Sequence, residues 1–197
     1  MTNDEVEKSE PASWARVEEG RHDRTIEENW LFRLRAERFR SRASGLTHDF
    51  FVIHLADGVH AIAITPENEV LFVRQFRAAS GRDSLEVPGG LIDPGEDPLA
   101  AGGRELLEET GYAGDPPELV GTLWSNPAIV TMRTTTIVVR NARKVAEPRL
   151  DHTEELTVER VPAAAIPGMI RNGRIDHALV VAGLFWWLAD EKEKGGR

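Results

Sequence analysis

The chain has 197 residues, of which 41% are hydrophobic and none is cysteine, and its formal net charge is −9 at pH 7. This length allows one domain with a full core and an extension, and the missing cysteines exclude disulfides and cysteine-based zinc sites. The negative charge argues against general binding of nucleic acid or of an anionic membrane surface. The longest apolar run, Ala178–Ala189, has 12 residues, short of the ~20 that span a bilayer. We therefore expect a soluble, cytoplasmic protein.

The first part of the chain is predicted to be an addition to the main domain. Residues 1–13 have the composition of a disordered tail, and residues 14–56 are predicted to form an N-terminal β extension. Within it, Trp14–Arg24 has a weak strand pattern and His48–Leu55 a clear one. Asn29–Arg42 fits either a helix or a kinked strand. Its five arginines form either a basic strip that reaches a phosphate or a solvated edge.

Residues 57–190 are predicted to form the main domain, followed by a frayed tail over 191–197. Its predicted strands are Val59–Thr65, Glu69–Arg77, Ser84–Val87, Leu119–Trp124, Thr134–Arg140 and Leu156–Val161. The first two are expected to pair as a hairpin. A short helix runs from Pro162 towards Arg171, and Asp176 caps a final helix that continues to about Ala189. That helix is apolar nearly all round, so we predict a core helix, with a subunit interface as the alternative.

A short acidic helix follows the third of these strands. Asp97 suits the N-cap, Pro98 the first helical position, and Gly111 a left-handed C-terminal cap. At ~100° per residue, three carboxylates share one side of the helix and three leucines take the other. The carboxylates belong to Glu105, Glu108 and Glu109, and the leucines are Leu99, Leu106 and Leu107.

Two features of this helix need a physical explanation. Like charges on neighbouring turns repel one another, and a hard cation such as Mg²⁺ or Mn²⁺ relieves that repulsion. A solvated acidic face is the commoner alternative for such a cluster. The pair Gly102–Gly103 lies inside the helix, where each glycine costs roughly 1 kcal/mol relative to alanine. Either a closely packed strand requires these glycines, or the helix is less stable than usual.

The stretch Gly90–Tyr112, GLIDPGEDPLAAGGRELLEETGY, resembles the signature of the Nudix hydrolases at every fixed position. The resemblance implies the Nudix fold, an α+β or α/β arrangement in which helices sandwich a mixed β-sheet and a loop–helix–loop motif carries the catalytic residues. It also implies a Mg²⁺ site in which Mn²⁺ can substitute. The implied ligands are Glu105 and Glu109, supported by Glu108, Glu96 and the carbonyl of Gly89. Arg104 is implied to orient a glutamate by ion pairing.

Matches outside this stretch are similar to the ADP-ribose pyrophosphatase branch of the family. They are RQFR at Arg74–Arg77, LEVPGG at Leu85–Gly90, Pro127 at 16 residues after Gly111, and GRIDHALVVAGL at Gly173–Leu184. Two departures leave the substrate open. Gly89 replaces the alanine usual in the branch, and NPAIVTMR (Asn126–Arg133) looks more like related sugar-nucleotide hydrolases.

The resemblance also implies roles for residues outside the signature. Besides Arg104 and Glu108, a catalytic general base is expected in the acidic loop before a late strand. Glu154 is the candidate, Glu155 the alternative, and His152 a weaker one. The implied substrate contacts are Arg77, Arg74, Glu86, Pro127 and Arg133, with a plain strand-surface charge as the alternative for Arg74. Trp30 and Phe50 fit base stacking across a homodimer, or else ordinary core or interface packing.

We therefore expect Mg²⁺-dependent hydrolysis of the pyrophosphate bond of a nucleoside diphosphate sugar, with ADP-ribose giving AMP and ribose 5-phosphate. GDP-mannose or another nucleoside-diphosphate derivative is the alternative within the same chemistry. A non-catalytic nucleotide sensor is the alternative from another class, and it is disfavoured because all four signature carboxylates are present. The sequence contains neither the G-x-S-x-G motif of serine hydrolases nor the H-E-x-x-H motif of zinc hydrolases. The expected partners are a small nucleotide substrate and a second copy of the chain, with no nucleic acid and no membrane.

Overall fold

The structure is a computed structural model that describes residues 12–17, 23–150 and 155–195. These residues form two compact units. The first holds the described residues up to Leu55 together with Asn126–Thr131, and the second holds Ala56–Ser125 with the described residues from Met132 onward. Residues 1–11 of the predicted tail and residues 151–154 of the predicted acidic loop lie outside the described ranges. Within those ranges, no helix combines the length and apolar character that a membrane crossing requires.

The first unit is an antiparallel sheet of four strands. They are β1 (Trp14–Arg16), β2 (Arg24–Glu28), β3 (Arg33–Ser41) and β4 (Thr47–His54). β3 is central, because β4 pairs along one of its edges while β2 and β1 share the other. The ambiguous segment Asn29–Arg42 is therefore mostly strand. Its backbone partners come from three other segments of the chain, and periodicity within one segment does not reveal them.

Three of the four arginines of β3 are paired with acids of neighbouring segments, so these three do not form an open basic strip. The pairs are Arg33 with Glu28, Arg35 with Asp23, and Arg38 with Asp49. Opposite charges that face each other across adjacent strands stabilise a sheet. These arginines thus stabilise the sheet of the first unit.

The segment Asn126–Thr131 of the first unit lies beside β4. The backbone N–H of Ile53 donates to the carbonyl of Ile129 at 2.8 Å, and the N–H of Thr131 donates to the carbonyl of Ile53 at 3.0 Å. Val130 completes a parallel bridge with Ile53. The sequence NPAIVTMR, expected to be a loop, is therefore partly held in an extended form by the edge of β4.

The second unit contains two larger sheets, a two-stranded ladder and three helices. Its strands are β5 (Gly58–Ala63), β6 (Glu69–Arg77), β7 (Arg82–Glu86), β8 (Gly89–Leu91), β9 (Tyr112–Ala113), β10 (Glu118–Trp124), β11 (Arg133–Val139), β12 (Arg143–Lys144) and β13 (Leu156–Pro162). Its helices are α1 (Pro98–Thr110), α2 (Ile166–Arg171) and α3 (Ala178–Gly195), with a 3₁₀ turn over Ala163–Ala165. One sheet has the order β10-β11-β5-β8, the second has the order β13-β6-β7, and β12 pairs with β9.

The predicted hairpin of β5 and β6 forms only at its turn. Asn68 adopts a positive φ of 61°, and beyond the turn a single bridge joins Ile64 to Val70. The two strands then enter different sheets, β5 pairing in parallel with β11 and β6 pairing with β13 and β7. Beyond the turn the hairpin prediction was wrong, because β8 and β11 pair along the two edges of β5.

The mixed sheet lies between two helices. On one face, Ala61 and Ile137 belong to a buried cluster with Leu106 of α1. On the other face, Ile62 and Val138 belong to a cluster that includes Leu184 of α3. Since successive strand residues point to opposite faces, each of β5 and β11 contributes to both clusters. The α/β/α sandwich with a mixed sheet, expected from the family resemblance, is confirmed.

Helix α3 begins and ends differently from the prediction. The helix starts at Ala178, and the backbone N–H of Val180 donates to Nδ1 of His177 at 3.5 Å, while Asp176 pairs with Arg82. His177, not Asp176, therefore occupies the capping position. At the other end the helix continues to Gly195 instead of stopping near Ala189. The lysines of its last turn favour that extension, because positive charges interact well with the C-terminal end of a helix dipole.

The two glycines inside α1 have different surroundings. A Cβ at Gly102 would overlap Cδ1 of the buried Ile137 and lie 3.0 Å from Cγ2 of Val59. A Cβ at Gly103 would have only Cγ of Pro117 nearby, at 3.7 Å. Close packing of α1 on β5 and β11 therefore explains Gly102, and nothing in the packing requires Gly103.

These surroundings predict opposite effects of alanine at the two positions. Gly103→Ala should raise the free energy of unfolding by about 1 kcal/mol through helix propensity alone. Gly102→Ala should lower it by about 1 kcal/mol, because overpacking a core costs about 1–3 kcal/mol and exceeds the propensity gain. Urea unfolding of both variants beside the parent chain measures the difference. Equal changes in the two variants would contradict the close packing at Gly102.

Candidate functional site

Helix α1 is built by local signals that the sequence shows. The Asp97 side chain accepts hydrogen bonds from the N–H groups of Leu99 and Ala100, both at 3.1 Å, and Pro98 opens the helix. At the other end Gly111 has φ 74°, and its N–H donates to the carbonyl of Leu107 at 2.8 Å. Both predicted caps are present. They define where helix α1, which carries the acidic residues, begins and ends.

Strand β8 brings backbone against two of these acidic residues. A Cβ at Gly90 would lie 2.5 Å from Oε1 of Glu105, so only glycine allows this approach. One residue earlier, the N–H of Gly89 donates to Oε2 of Glu109 at 3.0 Å. Glu105 and Glu109 are one helical turn apart. Their carboxylates therefore lie side by side along the backbone of β8.

The burial of these side chains differs from the simple two-sided helix expected from the sequence. Glu109 is only 3% exposed, whereas Leu107, assigned to the apolar side, is 38% exposed. A buried carboxylate is unfavourable unless it is hydrogen-bonded or paired. The N–H of Gly89 supplies one such bond to Glu109. The acidic side of α1 thus faces β8 instead of solvent at this position.

Arg104 is the cation at the centre of the acidic cluster. Its guanidinium donates to Glu96 at 3.0 and 2.9 Å, to Glu105 at 2.8 Å and to Glu108 at 3.1 Å. It also donates to the carbonyl of Leu91 at 3.3 Å. Hydrogen bonding to Glu96, then to Glu105, raises the pKa of Arg104 well above its usual range. The same bond from Arg104 lowers the pKa of Glu96.

The chemistry of these donors fits a hard divalent cation. Carboxylate and carbonyl oxygens are the ligands that such ions prefer, and Glu105 and Glu109 present two carboxylates beside β8. Among the described residues, however, no three acidic or histidine side chains stand close enough together to form a metal site as they lie. Glu96 and Glu108 are held by Arg104. A third carboxylate ligand would have to leave that arginine.

The predicted phosphate-binding arginines are both engaged by acids. Arg77 donates from Nε and Nη2 to the two carboxylate oxygens of Glu86, at 2.9 and 2.7 Å. Burial opposes ionisation of Glu86, but this bidentate bond keeps its pKa below the ordinary value. Arg74 donates from Nε to Glu159 at 2.7 Å. Two of the predicted substrate contacts, Arg77 and Glu86, are therefore brought together as one ion pair.

The remaining predicted substrate residues are divided between the two units. Arg133 places its guanidinium 5.6 Å from the centre of the Trp124 ring. Trp30, Phe50 and Pro127 belong to the first unit. Trp30 is 91% exposed, whereas Phe50 makes edge-to-face contacts with neighbouring aromatic rings. Those rings belong to Trp14, Phe39 and His48, at 5.3, 5.5 and 4.8 Å between centroids.

The predicted general base lies on a loop whose flanks are well defined. Glu154 and His152 lie outside the described residues, and Glu155 is exposed. Before the loop, the N–H of Arg149 donates to the carbonyl of Glu108 at 2.7 Å. After it, Leu156 pairs with Gln75 in the β13–β6 ladder. The N-terminal flank of the acidic loop is thus attached to the end of α1.

Two histidines near the site were missed by the sequence analysis. His60 of β5 stands opposite Gly89 in the β5–β8 ladder, and its ring centre lies 6.0 Å from that of His177. The His60 ring keeps some surface exposure, but its Nδ1 atom is buried and makes no hydrogen bond. Burial, followed by the neighbouring His177, lowers the pKa of His60 to about 4. No motif marks either residue, because strand pairing and helix packing bring them together.

Comparison with known proteins finds related sequences and a related fold. The model of the NUDIX domain family matches residues 54–183. An ADP-ribose pyrophosphatase of Mycobacterium tuberculosis is 26% identical over 162 residues, covering 81% of this chain and 78% of that protein. A mouse ADP-sugar pyrophosphatase is 40% identical over 88 residues, covering 43% of this chain but only 40% of that protein. The crystal structure of an ADP compounds hydrolase has a TM-score of 0.81 at 19% identity, covering 95% of this chain and 98% of that one. This last likeness shows the fold.

The contact between β8 and Glu105 yields a test of the metal site. Gly90→Ala should force the Glu105 carboxylate away from β8, since the new Cβ would overlap it. We expect Mn²⁺ affinity to fall about 10–100-fold, the usual effect of disturbing the support of a metal ligand. Calorimetric titration of Mn²⁺ measures it. Gly103→Ala, in the helix that carries Glu105 and with only an ordinary contact to Pro117, is the matched control. Unchanged Mn²⁺ affinity in Gly90→Ala would remove Glu105 from the ligand set.

Proposed function

The chain belongs to the Nudix family, and from that membership we propose that it hydrolyses the pyrophosphate bond of a nucleoside diphosphate sugar. ADP-ribose is the proposed substrate, with AMP and ribose 5-phosphate as products. The names of the relatives from Mycobacterium tuberculosis and mouse, an ADP-ribose and an ADP-sugar pyrophosphatase, support this choice. The observation that carries the proposal is the pair of carboxylates of Glu105 and Glu109 against the glycine backbone of β8.

The residues of α1 and β8 match what this hydrolysis requires. The bridging bond of a pyrophosphate is surrounded by negative oxygens, so a nucleophile reaches it only where that charge is offset. Mg²⁺, for which Mn²⁺ can substitute, would offset this charge and lower the pKa of an attacking water when bound. Glu105 and Glu109 would hold the ion, with the carbonyl of Gly89 and either Glu96 or Glu108 completing the set. Arg104 orients these glutamates through its network of hydrogen bonds.

The acidic loop before β13 is proposed to supply the general base. Glu154 is the first candidate and Glu155 the second. The attachment of Arg149 to the carbonyl of Glu108 supports this role, because it starts the loop at the end of the helix that carries the metal ligands. A base acts only within hydrogen-bond reach of the water that it deprotonates. The segment that carries Glu154 therefore begins beside the helix that carries the proposed metal ligands.

The remaining substrate contacts follow from charge and ring chemistry. Arg77 is proposed to contact a phosphate, because the planar guanidinium group matches the geometry of phosphate oxygens. Arg74 and Arg133 are weaker proposals, being engaged by Glu159 and by the Trp124 ring. Trp30 and Phe50 are proposed to stack on the base in a homodimer. The large exposed surface of the Trp30 ring supports this role.

GDP-mannose or another nucleoside diphosphate derivative remains the second candidate within the same chemistry. The observation that favours it is the segment Asn126–Thr131, whose sequence departs from the ADP-ribose branch and which is held by the edge of β4. A non-catalytic sensor is the third candidate. It is disfavoured by the retention of Glu96, Glu105, Glu108 and Glu109 around one arginine.

Glu109→Gln tests the catalytic role of the carboxylate pair. Glutamine keeps an oxygen that accepts the N–H of Gly89, so the fold should be retained, but it removes the negative charge from the ligand. We expect kcat with Mg²⁺ to fall at least about a hundredfold, since Lewis-acid stabilisation is worth several kcal/mol. Glu118→Gln makes the same chemical change at an exposed position of β10 and is the control. Near-parental turnover in Glu109→Gln would exclude this residue from the metal site.

The substrate is tested by a hydrolysis panel with Mg²⁺ and with Mn²⁺. It contains ADP-ribose, GDP-mannose, UDP-glucose, NADH, diadenosine polyphosphates and 8-oxo-dGTP, with the products resolved by chromatography. We expect AMP released from ADP-ribose to dominate. Preference for GDP-mannose would favour the second candidate. No turnover of any substrate by folded, metal-loaded protein would favour the sensor.

A further inference from the structure

His60 carries a buried polar atom that its surroundings do not satisfy. Its Nδ1 is buried and has no hydrogen-bond partner among the described residues. Leaving a buried polar group without a partner destabilises the folded state, and such atoms in native proteins are few. An atom of this kind beside an active site is a candidate ligand contact. The residues around His60 indicate which ligand.

Several elements of the second unit converge on this ring. On one side is β8, where a Cβ on Gly89 would lie 3.0 Å from Cδ2 of His60. On another is the start of α3, where the ring of His177 makes an edge contact at 6.0 Å and 72°. The charges of Glu86 on β7 and Arg77 at the end of β6 both act on the His60 ring. The ring therefore lies against β8 and the ring of His177, within the electrostatic influence of the Arg77–Glu86 pair.

The charges of this group favour an uncharged ligand. Arg77 and Glu86 offset each other's charge through their bidentate pair, so the ring of His60 faces no large net charge. No set of three histidine or acidic side chains in the described part of the chain is arranged for a metal. What remains are imidazole nitrogens, which donate or accept according to tautomer, and a carboxylate that accepts. Hydroxyl groups, which donate and accept, complement both.

The position of His60 relative to the carboxylates of α1 indicates which hydroxyl groups of a substrate it would contact. His60 faces Gly89, and the N–H of the same glycine holds Glu109. A ligand group at His60 is thus separated from the proposed metal ligands by one strand of backbone. In a nucleoside diphosphate sugar, the hydroxylated group next to the pyrophosphate and opposite the nucleoside is the sugar.

We propose that His60 and His177, with Glu86, form the subsite for the hydroxyls of the sugar on the far side of the pyrophosphate. This inference rests on the proposed function and extends it to the feature that selects the sugar. His177 uses Nδ1 to accept the N–H of Val180, which leaves Nε2 for the ligand, and His60 offers the buried Nδ1. Both histidines are specificity residues in this arrangement and take no part in breaking the bond.

The test compares two substrates that differ only in the sugar. ADP-ribose has it, and the β-methyl ester of ADP keeps adenosine and both phosphates without it. His60→Leu removes the ring nitrogens, and His60→Asn restores a polar atom near the position of Nδ1. His177→Phe keeps the aromatic contact without nitrogens. Steady-state kinetics give kcat/KM for each substrate and variant, and urea unfolding confirms that each variant is folded.

We expect the ratio of kcat/KM for ADP-ribose to that for the methyl ester to fall about tenfold in His60→Leu and in His177→Phe. His60→Asn should recover most of the ratio. An equal loss of kcat/KM on both substrates, which leaves the ratio unchanged, would show that the ring serves only packing or catalysis. Parental kcat/KM values on both substrates would show that it serves neither. Both results overturn the inference.

A failure of the proposed function is recognised separately, because the parent chain would then hydrolyse neither substrate. In that case the affinities of both compounds, measured by calorimetry without metal, replace kcat/KM in the comparison. A tenfold loss of ADP-ribose affinity in His60→Leu, absent for the methyl ester, sustains the subsite. Equal affinities of the parent and the variant for ADP-ribose, or no binding of ADP-ribose to the parent, overturn it.

Discussion

The close contact between the backbone of β8 and the carboxylates of α1 is the constraint on which the site depends. Any side chain at position 90 would overlap Glu105, and any at position 89 would overlap the backbone of β5 at Val59. The two glycines therefore serve contacts on two different sides of one short strand. Because Gly89 also donates its N–H to Glu109, backbone atoms of this strand lie against both carboxylates. Backbone atoms have no rotamers, so this arrangement is more rigid than one built from side chains.

Arg104 makes this concentration of negative charge compatible with folding. Charge-assisted hydrogen bonds to three glutamates offset a repulsion that would otherwise destabilise the helix. The same bonds set the condition for metal binding, because Arg104 holds Glu96, Glu108 and also Glu105. The arginine is thus both the internal counter-charge of the cluster and the competitor for its outer carboxylates.

Strand β5 and its partner β8 separate two kinds of chemistry in the second unit. The face towards α1 carries Gly90 beside Glu105, and the other face carries His60 near His177 and the Arg77–Glu86 pair. On our proposals, the first face holds the ion that the reaction needs and the second distinguishes the sugar. Substitutions on the second face can then change substrate preference with the carboxylates left in place. Such a division is consistent with one fold serving several related substrates.

The sequence by itself determined the elements whose causes are local. The limits of α1 follow from Asp97, Pro98 and Gly111, which act within one turn, and the acidic signature identified the family before any contact was known. Tertiary structure decided what depends on partners distant in the chain. Pairing with three other segments made Asn29–Arg42 a strand, and pairing with β8 and β11 separated β5 from β6. Packing against β8 buried Glu109 while Leu107, on the supposed apolar side, remained exposed. His60 and His177 are 117 positions apart in the sequence, and only the β5–β8 ladder and the start of α3 place their rings together beside Gly89.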